Sequence, residues 1–184
     1  MKKVIVFLAE GFEEIEAISV IDILRRAEIT VQSVSITGNQ AVLGVHGIRV
    51  EADILFEDAN FSDADMLVLP GGGPGSNNLN KHENLKSVIA EQNKKGKWLA
   101  AICAAPLVLG EMGLLQGKKA TCFPGKEPSL IGAILQNEAV VVDGNIITGK
   151  GPGFTTIFAL QIVEELQGKT KANEVKASLL LSTW

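Results

Sequence analysis

Cys103 stands at the end of an apolar run, Leu99-Ala100-Ala101-Ile102, directly ahead of a segment with helical character. The local pattern Ala101-Ile102-Cys103-Ala104-Ala105 reads small, x, nucleophile, x, small. This is the spacing of a strand–turn–helix elbow, where a nucleophile occupies a strained turn and tight packing excludes larger neighbours. Alanines stand where such elbows usually carry glycine, so the spacing also suits a cysteine that only packs, as many buried cysteines do. A helix N-terminus beyond the sulfur would offer unpaired N–H groups and partial positive charge. Both favour the thiolate, the form that attacks electrophiles and reacts with peroxide. The expectation is a sulfur held as an anion at neutral pH.

Two acids are candidates for the proton chemistry such a sulfur needs. Glu16 borders the apolar side of the first helix through Val20 and Ile23, and Glu13 leads into the same stripe through Ala17. A carboxylate beside a thiolate repels it unless burial keeps the carboxyl protonated. A protonated acid could donate a hydrogen bond to sulfur and pass a proton to an intermediate. Periodicity does not choose between the two, and either could be a solvated first-turn acid. The Gly71–Gly75 run follows a strand but lacks G-x-G-x-x-G and a Gly-Lys-Ser/Thr ending, so it is not read as a nucleotide cradle. Its N–H groups could face an oxyanion, or it could be a plain tight loop. Lys150, in Gly149-Lys150-Gly151-Pro152-Gly153, could attract anions or be simply exposed. Cys103 and Cys122 form neither a disulfide nor a metal pattern by spacing, and His46 and His82 form no ligand cluster. No metal and no cofactor is expected.

The elements that must position these residues are legible from the apolar runs. Val4–Ala9 is a strand covered on both faces, and Glu13–Ala27 is a helix with Glu13 and Glu14 suited to its positive end. Val31–Ile36 completes a βαβ opening. Residues 41–55 read as short strands beside the main sheet, and Met66–Leu69 as a buried strand stopped by Pro70-Gly71-Gly72-Gly73-Pro74-Gly75. A helix over about Asn84–Lys95, the strand Trp98–Ile102 and a helix over Ala105–Met112 follow. Ala139–Val142 and Ile146–Thr148 flank Asp143-Gly144-Asn145, a hairpin signal. Helices over Thr155–Leu166 and about Lys171–Leu181 close the chain. This alternation predicts an α/β domain spanning residues 1–184, a mostly parallel sheet with helices on both faces.

Composition excludes several classes. The 184 residues are 46% hydrophobic and 21% charged with net charge −4, and no basic run suggests a nucleic-acid surface. The longest apolar stretches are too short to cross a bilayer. Met1-Lys2-Lys3 and Val4–Ala9 superficially resemble a signal peptide, but Glu10, Glu13, Glu14 and Glu16 occupy the place of a cleavage site. A cytoplasmic protein is the default expectation.

Four motifs in order carry a resemblance: Gly11-Phe12-Glu13-Glu14-Ile15-Glu16, Leu69-Pro70-Gly71-Gly72, Ala100-Ala101-Ile102-Cys103-Ala104-Ala105-Pro106 and Gly151-Pro152-Gly153. Together they resemble the ThiJ/PfpI superfamily, specifically its DJ-one branch, linked to parkinsonism. The resemblance implies a flavodoxin-like three-layer sandwich that forms a homodimer. It makes Cys103 the oxidisable nucleophile and selects Glu16 as the acid bonded to it. It assigns the N–H groups of Gly72 and Ala104 to an oxyanion or anion pocket. It implies glyoxalase action on methylglyoxal, deglycation of glycated adducts, or a redox-sensing chaperone; an older label ties some members to thiazole phosphate (thiamine) biosynthesis. In the peptidase-like branch a histidine follows the cysteine; Ala104 stands there here, which argues against a peptidase. Phe123 occupies the place of a histidine found near the cysteine in several relatives, and the family's pocket arginines correspond to His46 and Lys150. A lysine keeps the charge but loses the planar fork that grips carboxylates. The expected partners are a small aldehyde or glycated adduct and a second copy of the chain. The competing readings are a cysteine-dependent enzyme, an oxidation sensor or chaperone, and a binding domain whose cysteine only packs.

Overall fold

The computed structural model describes residues 1–181. Its central feature is a seven-stranded sheet in the order β10-β11-β7-β6-β1-β2-β5. In chain order the elements begin with β1 (Lys3–Leu8), α1 (Glu14–Arg26) and β2 (Thr30–Ser35), the expected βαβ unit. The short strands β3 (Ala41–Leu43), β4 (Arg49–Glu51) and β5 (Ile54–Leu55) follow. Of these, β3 and β4 form a separate antiparallel hairpin, whereas β5 extends the main sheet beside β2. Next come β6 (Met66–Leu69), α2 (Gly73–Lys81), α3 (Glu83–Lys94), β7 (Trp98–Ile102) and α4 (Pro106–Glu111). The chain continues through the two-residue strands β8 (Lys119–Ala120) and β9 (Ile134–Leu135), then β10 (Val140–Asp143), β11 (Ile146–Gly149), α5 (Thr155–Gln167) and α6 (Lys169–Ser178). Every pairing in the main sheet is parallel except β10 with β11.

The uninterrupted apolar runs reflect burial on both faces. Val4, Val6, Met66, Val68, Ala100 and Ile102 pack in one layer with residues of α1, α5 and α6. Their alternates Ile5, Phe7, Leu67, Leu69, Leu99 and Ala101 pack in the other with residues of α3 and α4. Both layers are dry, so nearly every strand residue is apolar instead of every second one. The fold class is the α/β sandwich expected from the alternation.

Two departures bear on the site. Residues 73–81, where the sequence reading placed only the end of a glycine-rich loop and no helix, form α2. Gly73, Pro74 and Gly75 are poor helix formers, but proline is tolerated in a first helical turn. Tertiary contacts hold the start in place, with the Gly75 N–H donating to Gly11 O at 3.0 Å and Leu79 fully buried. The hairpin loop is the two-residue Gly144-Asn145, with Asp143 opposite Ile146. Among the described residues no helix is long and apolar enough to cross a membrane.

Neighbouring β1 are β2 on one side and β6 on the other. The chain therefore reverses its direction of winding at β1, and the loops after β1 and β6 diverge to opposite faces. In open parallel sheets such a point leaves a crevice beyond the strand ends. Register brings Leu69 opposite Ala101 and Ile102 opposite Gly149, so β6, β7 and β11 end together there.

Candidate active site

Cys103 follows the last residue of β7 with φ 64, the left-handed region that side chains avoid. Two backbone bonds hold it there. Its N–H donates to Gly149 O and its carbonyl accepts from the Phe123 N–H, both at 2.8 Å. The sulfur-bearing residue is 7% exposed. The elbow read from the spacing is present, with alanines filling the tight positions.

The space beside it is made by two glycines. A side chain on Gly71 would collide with the Glu16 carboxyl and with Cys103 Cβ. Gly72 has φ 90 and backs onto the Gly11 carbonyl and Glu13 nitrogen, leaving no room for a Cβ. Gly72 is also the residue that caps α2. Its N–H and that of Ala104 both act on the Cys103 sulfur.

Glu16 sits in the first turn of α1 and is completely buried. The Gly71 N–H donates to its Oε2 at 2.8 Å, while Oε1 is buried without an aligned donor among the described residues. The interaction open to that carboxyl is with the Cys103 thiol. Glu13 has a different task. As N-cap of α1 its Oε2 accepts the Glu16 N–H at 2.7 Å, and its own N–H donates to Gly71 O at 3.0 Å. The structure thus places Glu16 at the sulfur and Glu13 behind it, the choice that periodicity left open.

Burial pushes the Glu16 carboxyl up to about 7; the Cys103 thiol and the Gly71 N–H pull against that rise, and the Glu13 charge adds to it. Burial likewise pushes the Cys103 thiol up to about 12, with the Glu16 charge reinforcing it and the Gly72 and Ala104 N–H groups opposing. The expected standing thiolate is therefore corrected. Desolvation and a like charge outweigh two N–H groups, and the helix that follows begins at a proline that has no N–H to give. The two groups behave as a pair, which loses one proton near neutrality and keeps the other well beyond it. Below neutrality both groups are protonated, and above it one proton remains between Glu16 and Cys103.

The two candidate pocket cations are not brought to the sulfur by their bonds. His46, in the turn between β3 and β4, pairs through Nδ1 with Glu14 Oε2 at 2.9 Å. The Lys150 amine donates to Asn137 Oδ1 at 2.5 Å. Lys150 does line a cavity of about 310 Å³ beside the elbow, with Phe123, Pro124 and Phe154. Sequence spacing showed no metal-ligand pattern, yet the fold gathers Glu13, Glu14 and His46 with ligand atoms within 4.8 Å of one another. His46 lies thirty-odd residues along the chain from the two acids, so no local motif could announce the cluster. Cys122 lies in the opposite core layer from Cys103, and burial, with Glu127 nearby, pushes its thiol up to about 11.

Comparison with known proteins agrees with this geometry. The sequence profile of the DJ-1/PfpI family matches residues 2–165. The chain is 41% identical to Protein DJ-1 homolog B of Arabidopsis thaliana over 182 residues, which cover 98% of this chain and 42% of that protein. It thus spans less than half of that longer relative. It is 39% identical to Protein dj-1beta of Drosophila melanogaster over 98% of both chains. The crystal structure of Drosophila DJ-1beta superimposes with a TM-score of 0.92, covering 97% of each chain. That of oxidised Toxoplasma gondii DJ-1 does so with a TM-score of 0.94 at 36% identity, covering 98% of each. An elbow cysteine, a buried acid against it and full-length likeness in sequence and fold lead to one conclusion: this chain belongs to the DJ-1/PfpI family.

Proposed function

We propose that this protein is a cysteine-dependent stress-response enzyme of glyoxalase or deglycase type, acting on reactive aldehydes or their adducts without a cofactor. The observation that carries the reading is the fully buried Glu16 carboxyl set against the Cys103 thiol, with the Gly72 and Ala104 N–H groups converging on the sulfur. With methylglyoxal, the thiol proton passes to the Glu16 carboxylate as sulfur bonds to the aldehyde carbon. Glu16 returns that proton to the aldehyde oxygen, which gives a hemithioacetal. The same carboxylate then removes the hydrogen from the former aldehyde carbon and returns it to the adjacent carbon, while the hydroxyl proton passes to the former ketone oxygen. This rearrangement yields a thioester with no net oxidation. Water hydrolyses the thioester, releases lactate and restores the thiol. The Gly72 and Ala104 N–H groups stabilise negative charge as it develops on sulfur. Methylglyoxal consumption by wild type and Cys103→Ala tests the reading; equal rates at equal protein overturn it. Phe123 supplies no imidazole at the elbow, so turnover is expected to be slow.

A second reading, an oxidation sensor or chaperone, is favoured by one further observation: the side chains of Cys103 and Cys122 pack in different core clusters. Peroxide would convert the thiolate to sulfenate with release of water, and a second peroxide would give sulfinate. The solved Toxoplasma relative is an oxidised form.

A second copy of the chain is the partner this reading includes. Ile15 and Ile18 of α1 and Ile157 of α5 are exposed, and the two helices pack against each other. Sedimentation of wild type and Ile18→Glu checks it, with the dimer expected to dissociate in the variant.

A further inference from the structure

We propose that the cavity beside the elbow is a subsite for an aryl group, which makes aryl-substituted 2-oxoaldehydes such as phenylglyoxal the preferred substrates. The inference rests on the reading of Cys103 as a nucleophile toward aldehydes and extends it to which aldehydes. The two walls of the cavity are the two segments that hold Cys103. Phe123 donates its N–H to the Cys103 carbonyl, and Gly149, whose carbonyl accepts the Cys103 N–H, leads directly into Lys150–Phe154. The space thus adjoins the reacting residue through that residue's own backbone partners.

Its lining is aromatic and already in place. Phe123 and Phe154 are 44% and 40% exposed, and both line this one space of about 310 Å³. A single exposed apolar side chain is ordinary, whereas two that share one cavity next to a nucleophile form a recognition surface. A Cβ on Gly151 would come within 3.2 Å of the Phe123 ring, so glycine there lets the ring lie against the backbone. On the other wall the Phe154 N–H donates to Gly151 O and Thr155 Oγ1 donates to Pro152 O, both at 2.9 Å. These bonds fix the turn that carries Phe154, so little ordering is left for a ligand to impose.

Polarity and size select the occupant. Lys150 supplies the only charged side chain of the lining, and its amine is already bonded to Asn137 Oδ1 at 2.5 Å. Its stem adds apolar surface beside Pro124 and Pro152. A cavity of about 150 Å³ with apolar walls takes up one benzene, so a phenyl group fits here with room to spare. Methylglyoxal would leave most of the space to water and draw no binding energy from it, whereas a ring seated between the walls contributes energy remote from the reacting carbons. Phenylglyoxal follows the rearrangement already written. With one water it gives mandelate, its aldehyde carbon oxidised and its ketone carbon reduced, so no further reactant is needed.

The test separates the subsite from turnover. Iodoacetamide, N-benzyliodoacetamide and N-iodoacetylglycine are reacted with wild type at one pH, and labelling of Cys103 is followed by peptide mass spectrometry. Each rate is divided by that of the same reagent with free cysteine. The benzyl reagent is expected to exceed iodoacetamide by about tenfold, the upper effect of one aromatic pair. Phe123→Ala and Phe154→Ala are each expected to lower that ratio by about threefold or more. The ratio is taken within one protein, so loss of folded molecules cancels. The ratio of kcat/KM for phenylglyoxal to that for methylglyoxal is expected to fall in the same two variants. If wild type consumes neither aldehyde, the enzymatic reading fails and the labelling ratio alone decides the subsite. A benzyl ratio equal to that of iodoacetamide, a ratio untouched by both variants, or fastest labelling by the glycine reagent would overturn the proposal.

Discussion

Glu16 Oε2 and the Gly71 N–H lie 2.8 Å apart and join the first turn of α1 to the loop after β6. That bond commits one carboxyl oxygen to the backbone and leaves the other facing sulfur. The acid cannot rotate away from Cys103 without abandoning its buried donor, a loss of about 1–3 kcal/mol.

Glu16→Gln removes the negative charge that helps raise the Cys103 thiol and supplies an amide N–H in its place. The thiol of the variant is expected to ionise well below the wild-type value of about 12. The pH profile of iodoacetamide alkylation measures this; an unchanged or higher midpoint contradicts the pairing. Methylglyoxal turnover is expected to fall by about 10²-fold or more, since the proton carrier is lost while the sulfur becomes easier to ionise.

Replacing Gly71 by alanine drives a methyl group into the Glu16 carboxyl and Cys103 Cβ. Overpacking of this kind costs about 1–3 kcal/mol. Urea unfolding is expected to show a lower midpoint with an unchanged slope, and Cys103 alkylation should change its pH dependence in the same protein. A midpoint equal to wild type would mean that the pocket is looser than its contacts indicate.

At φ 64 a Cβ is disfavoured by about 1–2 kcal/mol, offset in part by the greater unfolded-state entropy of glycine, about 0.5–1 kcal/mol. Cys103→Gly is therefore expected to be more stable than Cys103→Ala by about 0.5–1 kcal/mol. Equal stabilities in denaturant would show that the elbow carries no strain.

Graded peroxide is expected to add oxygen atoms to Cys103 and to leave no intramolecular disulfide, because the Cys122 side chain packs in a different core cluster. Peptide mass spectrometry without reduction reads both results; a Cys103–Cys122 linked peptide from native monomer contradicts the placement.

Asp65 Oδ2 accepts the Lys3 N–H at 2.8 Å and Oδ1 pairs with Lys2 at 3.2 Å. Desolvation pushes its carboxyl up, but these partners prevail and hold it below the usual value. A depressed carboxyl stabilises the fold above its unfolded pKa and loses that contribution as pH falls through the folded one. Asp65→Asn should lower Tm near pH 7, and the deficit should shrink as pH falls through the lowered pKa of the folded carboxyl; a deficit that stays constant down the acid range would assign its effect to packing.

The sheet was legible because β1, β6 and β7 are dry on both faces, so their runs contain no polar interruption. Cys103 and Glu16 were legible as types, one by its place between strand and helix, the other by its closeness to an apolar stripe. What one-dimensional reading missed was assembled by packing. The helix α2 is built on Gly-Pro-Gly, which propensity rejects, and Leu79 is its lone apolar anchor. The Gly72 and Ala104 N–H groups, which reach the sulfur from two separate segments, were named by the family resemblance and not by spacing. The sulfur's charge state was misjudged for a related reason. Spacing reveals a neighbouring helix end but not that the thiol and its acid are both sealed from water. Nor could spacing bring His46 to Glu14, since the β3–β4 hairpin must fold back to do so.

The peptide of Cys103 is a rung between the Gly149 carbonyl and the Phe123 N–H. Both bonds belong to the main chain, and neither depends on which side chain stands at position 123 or on its neighbour at 150. Substitutions at those two places can therefore reshape the cavity they line without displacing the Cys103 backbone. The lining of that cavity is free to change while the backbone geometry of the elbow stays intact.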